Sequence, residues 1–449
     1  MAVAAKLAVV PQSVHLRACA SPAASTAATP VTVSLRNASP KQDAAALAPV
    51  VEKVVAIGRG DPDAKVAPTL SCMWHELQGT NDWRGLVEPL HPLLLAEIVR
   101  YAELVAACYQ AFDLDPRSKR YLNCKHGKKQ MLKAVGMASA GYVVTKYIYA
   151  APDVTLPMGV GRSCSKSRWI GYVAVATDRE AARLGRRDIL VSFRGTVTVS
   201  EWLANFMSAL SPARFDPADP LPDVRVESGF LSLYTSDDVS GKFTTGSCRN
   251  QLLSEISHLV TKHMHEDLSI TLAGHSMGSS LALLLGYDLA ELGLNTKPHG
   301  GVIPITVFSF AGPRVGNLEF RNRCVKLGVK VLRVVNVNDP VTKMPGVLFN
   351  ESARILAGRY ELPWSKACYA HVGIEVSLNF FKVGDIACVH DLEAYIDQLL
   401  KCANDVTISS DSIGEDQEGV SGRVSSMFES WRWQMAAIRA GELMQALGI

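Results

Sequence analysis

The stretch SITLAGHSMGSSLALLLGYDLAEL, residues 269–292, decides the fold class of this 449-residue chain. Residues 269–273 are mostly apolar or β-branched and predict a buried strand, whereas 279–292 predicts a helix. Between them the motif GHSMG places a glycine two positions before and two positions after Ser276, which permits a sharp turn from strand to helix. Such a turn lifts the serine hydroxyl clear of the sheet, and the helix N-terminus favours developing negative charge. Ser276 is therefore the predicted nucleophile.

Short β-branched segments alternate with helical patterns on both sides of this turn. The predicted strands are 169–177, 189–193, 268–273, 305–311 and 331–337. The predicted helices are 92–112, 251–263, 279–292 and 392–402. This alternation around a nucleophile turn predicts an α/β fold of the α/β-hydrolase type, with a mostly parallel central sheet.

Composition divides the chain into four segments. Residues 1–60 are predicted to be a transit peptide and linker, and 70–150 an N-terminal helical region. Residues 151–403 are the predicted α/β-hydrolase core, and 404–449 an acidic linker followed by an amphipathic helix. That terminal helix carries two tryptophans, and it either docks on a membrane or packs back on the core.

The first 42 residues contain four basic residues and no Asp or Glu, and Ala, Ser, Thr and Val dominate them. This composition is typical of an organellar transit peptide, with a tail that has no targeting role as the alternative. Chloroplast import is favoured because Ser, Thr and Ala outweigh Arg in this segment, and a mitochondrial or dual destination stays open. The whole chain has 46 basic and 43 acidic residues, so the balance predicts no nucleic-acid partner.

Cysteine spacing and hydropathy predict neither a metal centre nor a membrane span. The ten cysteines occur singly, without a C-x-x-C pair, which favours free or buried thiols over a zinc site or a disulfide framework. No run of about 18 apolar residues is present, so no spanning helix is expected. No cofactor is predicted, and the sequence does not predict an oligomeric state.

The partners of Ser276 follow from chain order, because an acid and then a histidine come after the nucleophile in α/β-hydrolases. Asp339 ends a predicted strand, where its carboxylate can project from the edge of the sheet. Three histidines follow Ser276, and His299 precedes Asp339, which leaves His371 and His390. His371 opens a strand-like run, whereas His390 lies in a loop before a helix. His390 is the predicted general base, oriented by Asp339, with His371 as the alternative.

The segment FRGT at 193–196 follows a predicted strand and supplies candidate oxyanion donors. The amide and hydroxyl of Thr196, with the amide of Met277, predict an oxyanion hole, and an ordinary turn is the alternative. The next segment, VTVSEWLANFMSAL at 197–210, predicts an amphipathic lid, with core packing as the alternative. Its apolar face comprises Val199, Trp202, Leu203, Phe206 and Leu210.

Five motifs together resemble those of the class 3 lipases. They are FRGT at 193–196, WLANF at 202–206, ESGF at 227–230, GHSMG at 274–278 and FAGPRVGN at 310–317. The stretch WHELQGTNDWRGLVEPLHPLLLAEIVRYAELVAACY at 74–109 is similar to the plant class I phospholipases A1, the defective-in-anther-dehiscence-type acylhydrolases. The family usually has Leu where this chain has Met277, a position at which only the backbone amide is needed.

The resemblance implies an α/β-hydrolase that cleaves the sn-1 acyl ester of glycerophospholipids without a metal, and often galactolipids or triacylglycerol as well. Members of the family with a transit peptide act in plastids, where freed linolenate can feed jasmonate synthesis. The implied partner is a membrane glycerolipid, reached by peripheral association with the membrane. A lipase-like adaptor that binds protein partners without catalysis is the alternative, and the presence of Ser276, Asp339 and His390 disfavours it.

Overall fold

A computed structural model of the chain describes residues 69–151, 167–196, 209–219, 221–237, 246–297, 300–346, 368–382 and 386–408. The helices in these ranges are α1 Leu70–Leu77, α2 Pro92–Ala111, α3 Met131–Ala134, α4 Asp178–Leu184, α5 Ser228–Thr235, α6 Cys248–Lys262, α7 Met277–Glu291, α8 Leu318–Lys326 and α9 Leu392–Ile408. The strands are β1 Tyr142–Ala150, β2 Arg168–Ala176, β3 Arg187–Phe193, β4 Leu210–Pro212, β5 Arg225–Glu227, β6 Leu268–His275, β7 Ile305–Phe310, β8 Gly316–Asn317, β9 Lys330–Asn336, β10 Tyr369–Ala370 and β11 Ile374–Leu378. Single 3-10 turns occupy Lys128–Gln130, Val341–Lys343 and Ile386–His390.

The central sheet has seven strands in the order β1-β2-β3-β6-β7-β9-β11. Strands β3, β6, β7, β9 and β11 run parallel to one another, and β2 and then β1 extend the sheet beyond β3 as antiparallel strands. A smaller antiparallel sheet has the order β10-β8-β5-β4. The predicted α/β fold with a mostly parallel central sheet is confirmed.

Helices cover both faces of the central sheet, and the sequence of its strands reflects this. Every residue of β3, β6 and β7 is buried, as expected for parallel strands packed on both sides. Leu190, Phe308 and Leu332 belong to one core cluster, together with apolar residues of α1, α2 and α9. Their chain neighbours Val191 and Val307 belong to the other, which α5, α6, α7 and α8 complete. The side-chain period of two thus places alternate residues on opposite faces.

Helix α2 is part of this core. It begins with Pro92, and the Nδ1 atom of its N-cap residue His91 accepts a hydrogen bond from the amide of Leu93 at 3.2 Å. Most of its 20 residues are buried, so the helix has no solvated stripe of the kind that a surface helix shows. It packs against β3, β6 and α9, and it therefore lies on the sheet.

The predicted boundary at 151, between the helical region and the core, lies too late in the chain. Strand β1 already belongs to the central sheet, where it pairs with β2. Its sequence YVVTKYIYA alternates between buried and more exposed positions, which is the pattern of an edge strand with one buried face. The helical region 70–150 thus ends in a strand.

A buried polar group, here called the Asp188 cluster, lies near the start of β3 and β6. The side chain of Asp188 is inaccessible to solvent, and it accepts hydrogen bonds from four hydroxyls. Tyr101 and Tyr142 donate to Oδ2 at 3.0 and 2.7 Å, and Ser269 and Thr271 donate to Oδ1 at 2.7 and 2.6 Å. These bonds join α2, β1, β3 and β6.

Two ion pairs surround the cluster. Arg100 forms a bidentate pair with Glu97 one turn earlier in α2, and its Nη1 atom donates to the Tyr142 hydroxyl at 2.6 Å. Arg186 donates to the hydroxyl of Ser269 at 2.8 Å and lies 3.6 Å from Glu97. Because buried charges are tolerated only when they are paired and hydrogen-bonded, this set fixes the position of α2 on the sheet.

Candidate active site

The candidate site lies at the carboxyl edge of the parallel strands. Ser276 directly follows β6, Asp339 lies three positions after the last residue of β9, and His390 ends the 3-10 turn that precedes α9. Since parallel strands end at the same edge, three segments that are far apart in sequence meet there. Ligands bind at this edge in open α/β sheets.

The turn at Ser276 has the strained geometry that the motif predicts. Ser276 has φ 56° and ψ −125°, a backbone conformation that costs a non-glycine residue about 1–3 kcal/mol. A Cβ atom on Gly274 would lie 2.3 Å from the carbonyl atoms of Gly278, and one on Gly278 would lie 2.5 Å from the carbonyl oxygen of Arg194. The Ser276 amide donates to the Phe310 carbonyl at 2.9 Å, which anchors the turn to β7.

Ser276, His390 and Asp339 form a continuous chain of contacts. The Oγ atom of Ser276 is 2.9 Å from Nε2 of His390, and Nδ1 of His390 is 2.7 Å from Oδ2 of Asp339. Ser276 and Asp339 are buried, and Asp339 is inaccessible to solvent. This arrangement can remove a proton from the serine hydroxyl while a carboxylate stabilises the imidazolium that forms.

Both oxygens of Asp339 are held by donors in addition to His390. The amide of Val341 donates to Oδ1 at 2.9 Å, and the hydroxyl of Tyr395, on α9, donates to Oδ2 at 3.0 Å. Burial, reinforced by the neighbouring Asp339 carboxylate, raises the pKa of Tyr395 far above its usual range, so the phenol keeps the proton that it donates. The amide of Asn336 donates to the same phenol oxygen at 2.9 Å.

His371, the alternative base, lies in a different environment. It precedes β11, which begins only at Ile374, after Gly373 interrupts the extended run with a φ of 92°. His371 lines a small cavity with Ser309 and Arg333. Burial, with Arg333 and Arg314 nearby, lowers the pKa of His371 to about 2, so its ring is neutral at physiological pH.

The segment that carries the candidate oxyanion donors packs against the turn. A Cβ atom on Gly195 would lie 2.9 Å from the carbonyl oxygen of His275 and 3.0 Å from the Cβ atom of Ser276. Thr196 is buried next to it, and Met277 is the first residue of α7, where backbone amides are not used within the helix. The structure therefore brings the FRGT segment to the nucleophile turn.

The predicted lid residues Val199, Trp202, Leu203 and Phe206 lie outside the described residues. The prediction that the lid helix extends to residue 210 is wrong, because β4 begins there. Leu210, placed on the apolar face of a helix over 197–210, is instead in β4 and pairs with Glu227 of β5. A helical pattern at the end of this segment is overridden by Pro212, which has no amide proton to continue a helix.

Two tyrosines of the site were missed by sequence reasoning. Tyr109 of α2 contacts His275 and the FRGT segment, and Tyr395 of α9 contacts Asp339. Each lies in an apolar helical stripe that predicts only core packing. The available signal is the hydroxyl itself, because a buried tyrosine usually has a hydrogen-bond partner.

Within the described ranges, no three His, Cys, Asp or Glu side chains are grouped closely enough to hold a metal ion. None of the helices in this part of the chain is both long and apolar enough to cross a bilayer.

Comparison with known proteins places the chain in a family. The family model "Lipase (class 3)" matches residues 190–349. Phospholipase A1-Ialpha2, chloroplastic, of Arabidopsis thaliana is 60% identical over 362 residues, which cover 80% of this chain and 74% of that protein. This chain is a class 3 lipase. It belongs to the plant phospholipase A1 group of that family.

Two further relatives support the assignment of this class 3 lipase. Galactolipase DONGLE, chloroplastic, of Arabidopsis thaliana is 62% identical over 73% of this chain and 69% of its own length. Phospholipase A1 EG1, chloroplastic/mitochondrial, of Oryza sativa subsp. indica is 55% identical over 88% of this chain and 91% of its own length. The class 3 lipase is thus a carboxylic ester hydrolase, and the adaptor alternative is not supported. The predicted chloroplast localisation is confirmed, and EG1 keeps a mitochondrial destination open.

Proposed function

We propose that this class 3 lipase hydrolyses the sn-1 acyl ester of membrane glycerophospholipids and galactolipids through Ser276, His390 and Asp339. The observation that carries the proposal is the contact chain from Ser276 Oγ to His390 Nε2, at 2.9 Å, and from His390 Nδ1 to Asp339, at 2.7 Å. The lipid classes are supported by relatives named phospholipase A1 and galactolipase.

The reaction has two halves. In the first, Ser276 Oγ attacks the acyl carbonyl carbon while His390 Nε2 takes the serine proton, and a tetrahedral oxyanion forms. His390 then gives the proton to the leaving glycerol oxygen, which departs as the lysolipid and leaves an acyl ester on Ser276. In the second half, water attacks that ester, His390 takes its proton and returns it to Ser276 Oγ, and the free fatty acid is released.

The oxyanion donors are assigned to Thr196 and Met277. The close approach of Gly195 to Ser276 supports this assignment, as does the position of Met277 at the start of α7. Amides fixed in this way stabilise charge where it develops in the transition state, and losing one such donor costs about 10²–10³ in rate.

The class 3 lipase approaches its lipid as a peripheral membrane protein. Besides the predicted lid, two exposed apolar side chains support this, Val337 just after β9 and Phe381 just after β11, both at the edge that carries the site. Their segments are joined, because Asn338 donates to Asn379 at 3.0 Å. An exposed Phe contributes about 1.5–3 kcal/mol when it is buried in an apolar phase.

The test of this proposal is a serine-directed fluorophosphonate probe combined with defined substrates. Wild-type chain should be labelled, Ser276→Ala should not, and wild type should release sn-1 fatty acid from phosphatidylcholine and monogalactosyl diacylglycerol vesicles. Equal labelling of Ser276→Ala would reject the nucleophile, and exclusive sn-2 release would reject the positional assignment.

The membrane contact is tested by Phe381→Asp. Hydrolysis of vesicles should fall about tenfold, because burial of one Phe is lost, while hydrolysis of a soluble short-chain ester should be unchanged. Val325→Asp is the control, since Val325 is 66% exposed against 58% for Phe381 but lies near the end of α8, before β9 begins, at the opposite end of the parallel strands. An equal loss in both variants would place the contact elsewhere.

A further inference from the structure

The hydroxyl of Tyr109 connects the candidate oxyanion segment to the nucleophile turn. Tyr109 lies in the last turn of α2 and is buried. Its Oη atom is 2.6 Å from the amide nitrogen of Gly195 and 2.7 Å from Nδ1 of His275. The two residues that it touches are the neighbours of Thr196 and Ser276, so one side chain of α2 lies between the two halves of the site.

The direction of each hydrogen bond follows from the partners. Nε2 of His275 is 3.1 Å from the carbonyl oxygen of His390, and a carbonyl can only accept, so Nε2 carries the proton. In a neutral ring Nδ1 is then an acceptor, which means that the Tyr109 hydroxyl donates to it. The Gly195 amide donates to the phenol oxygen, which has lone pairs left to accept it. The three hydrogen bonds therefore all point the same way: the Gly195 amide donates to Tyr109, the Tyr109 hydroxyl donates to His275, and Nε2 of His275 donates to the His390 carbonyl.

The other side of Gly195 is fixed as well. The carbonyl oxygen of Gly195 accepts a hydrogen bond from Arg194 Nη1 at 2.7 Å, and Arg194 Nε donates to the Trp169 carbonyl at 2.9 Å. A peptide group is planar and trans, so the carbonyl of Gly195 and the amide of Thr196 point in opposite directions. Fixing Gly195 at both its amide and its carbonyl therefore fixes the direction of the Thr196 amide.

We propose that Tyr109 and His275 are positioning residues, which lock the oxyanion segment and the backbone of His390 to the turn that carries Ser276. The proposal rests on the proposed function, because it assumes that Thr196 and His390 act on the reaction of Ser276. His275 acts in it as a neutral ring with the proton on Nε2. It transfers no proton. It keeps the oxyanion segment and the His390 base at a constant distance from each other, on either side of the reacting carbonyl.

The chemistry explains why such a lock changes the rate. The oxyanion donors and the base must both be in place when the tetrahedral intermediate forms, and a displacement of about 1 Å can cost 10²-fold. Tyr109→Phe keeps the ring and removes the hydroxyl, so the Gly195 amide and Nδ1 of His275 lose this partner together. We expect kcat to fall about tenfold with KM nearly unchanged, because the lost positioning acts on the transition state rather than on substrate binding.

The matched control is Tyr172→Phe. Tyr172 is also buried, and its hydroxyl donates to the carbonyl of Leu104, on the same helix, at 2.8 Å. Removing it disturbs the packing of α2 without touching Gly195 or His275. Both variants should show a lower melting temperature, and only Tyr109→Phe should show the lower kcat.

A conservative rescue separates positioning from packing. The side-chain amide of Asn matches the position of Nδ1, so His275→Asn keeps an acceptor for Tyr109, whereas His275→Ala keeps none. We expect His275→Asn to retain more kcat than His275→Ala. Equal losses, or an equal loss of kcat in Tyr172→Phe and Tyr109→Phe, would overturn the proposal.

The tautomer gives a readout that does not depend on activity. In full-length protein with 15N-labelled histidine, two-bond 1H–15N correlations should show His275 neutral and protonated at Nε2 at pH 7. Tyr109→Phe should shift the Nδ1 resonance, because its hydrogen bond is lost. A ring protonated at Nδ1 in wild type would overturn the proposal. A wild-type enzyme that hydrolyses no ester would instead overturn the proposed function, and the tautomer measurement would still be valid.

Discussion

The Asp188 cluster and the candidate site lie at opposite ends of β3 and β6 and are built from the same kinds of side chain. Each has a buried carboxylate that accepts from a tyrosine, and each has serine or threonine hydroxyls on or next to β6. At Asp188 four hydroxyls donate to the two carboxylate oxygens, two to each, and all four of these donors lie in the core. At Asp339 one of the donors is His390, whose other nitrogen reaches Ser276.

The backbone conformation also differs between the Asp188 cluster and the candidate site. Ser269 and Thr271 are regular strand residues within β6, so their hydroxyls are fixed in the core. Ser276 comes one residue after the end of β6, in a strained conformation at the start of α7. The difference teaches that a buried carboxylate and hydroxyl indicate a reactive site only when an imidazole and a strained turn accompany them.

The largest expected effect compares the two carboxylates. Asp339→Asn should lower kcat about 10⁴-fold with the fold retained, because the imidazole loses its orienting and stabilising anion. Asp188→Asn should leave kcat within about twofold and reduce the free energy of unfolding by about 3–5 kcal/mol, since a buried charge near Arg186 is removed. Kinetics on a soluble ester and urea denaturation measure both. A large loss of kcat in Asp188→Asn would remove the distinction between the clusters.

The next effect compares two threonine hydroxyls. Thr196→Val removes a proposed oxyanion donor and should lower kcat about 10²-fold, with little change in KM. Thr271→Val removes a donor to Asp188 and should change only the melting temperature. Steady-state kinetics of both variants tests this difference. An unchanged kcat in Thr196→Val would show that backbone amides alone stabilise the oxyanion.

A smaller effect compares two tyrosines that donate to carboxylates. Tyr395→Phe takes one hydrogen bond from Asp339, worth about 1 kcal/mol, so kcat should fall about fivefold. Tyr142→Phe takes a bond from Asp188 and should leave kcat unchanged. If thermal denaturation shows equal destabilisation but kcat falls in neither variant, the orientation of Asp339 does not depend on Tyr395.

The smallest effect concerns Glu103, which lies on α2 between Tyr101 and Tyr109. Burial raises its pKa to about 7, and Arg100 opposes this only in part. Because the folded state binds this proton more tightly than the unfolded chain, the contribution to stability is complete below the ordinary pKa and is lost as the pH rises through about 7. Glu103→Gln should raise the melting temperature by a few degrees at pH 8 and leave it unchanged at pH 4. A difference that does not depend on pH would contradict this.

Much of the fold and of the site could be predicted from local patterns. The β-branched runs predicted β2, β3, β6, β7 and β9 to within about two residues, because strands that are buried on both faces are near-continuous apolar segments. The motif around Ser276 placed the turn, and chain order pointed to Asp339 and His390, whose side chains are in contact with each other in the structure.

The rest could not be predicted because it depends on contacts between distant segments. Strand β1, YVVTKYIYA, is rich in β-branched and aromatic residues but directly follows a helical region, and only its pairing with β2 shows that it belongs to the central sheet. Tyr109 and Tyr395 look like members of apolar helical faces, and only the packing of α2 and α9 on the sheet shows where their hydroxyls lie. The motif GHSMG assigns no role to His275, and its contact with the His390 carbonyl spans 115 residues.

The long sequence separations within the site also govern when the protein can become reactive. Tyr109 and His275 are 166 positions apart, and Ser276 and His390 are 114 positions apart. Contacts of this kind form late in folding, since long loops must close first. A chain that is still extended, as during passage through an organelle envelope, carries Ser276 apart from its proposed base and its proposed oxyanion donors. The requirement that both α2 and the segment before α9 dock on the sheet thus delays assembly of the site until folding is complete.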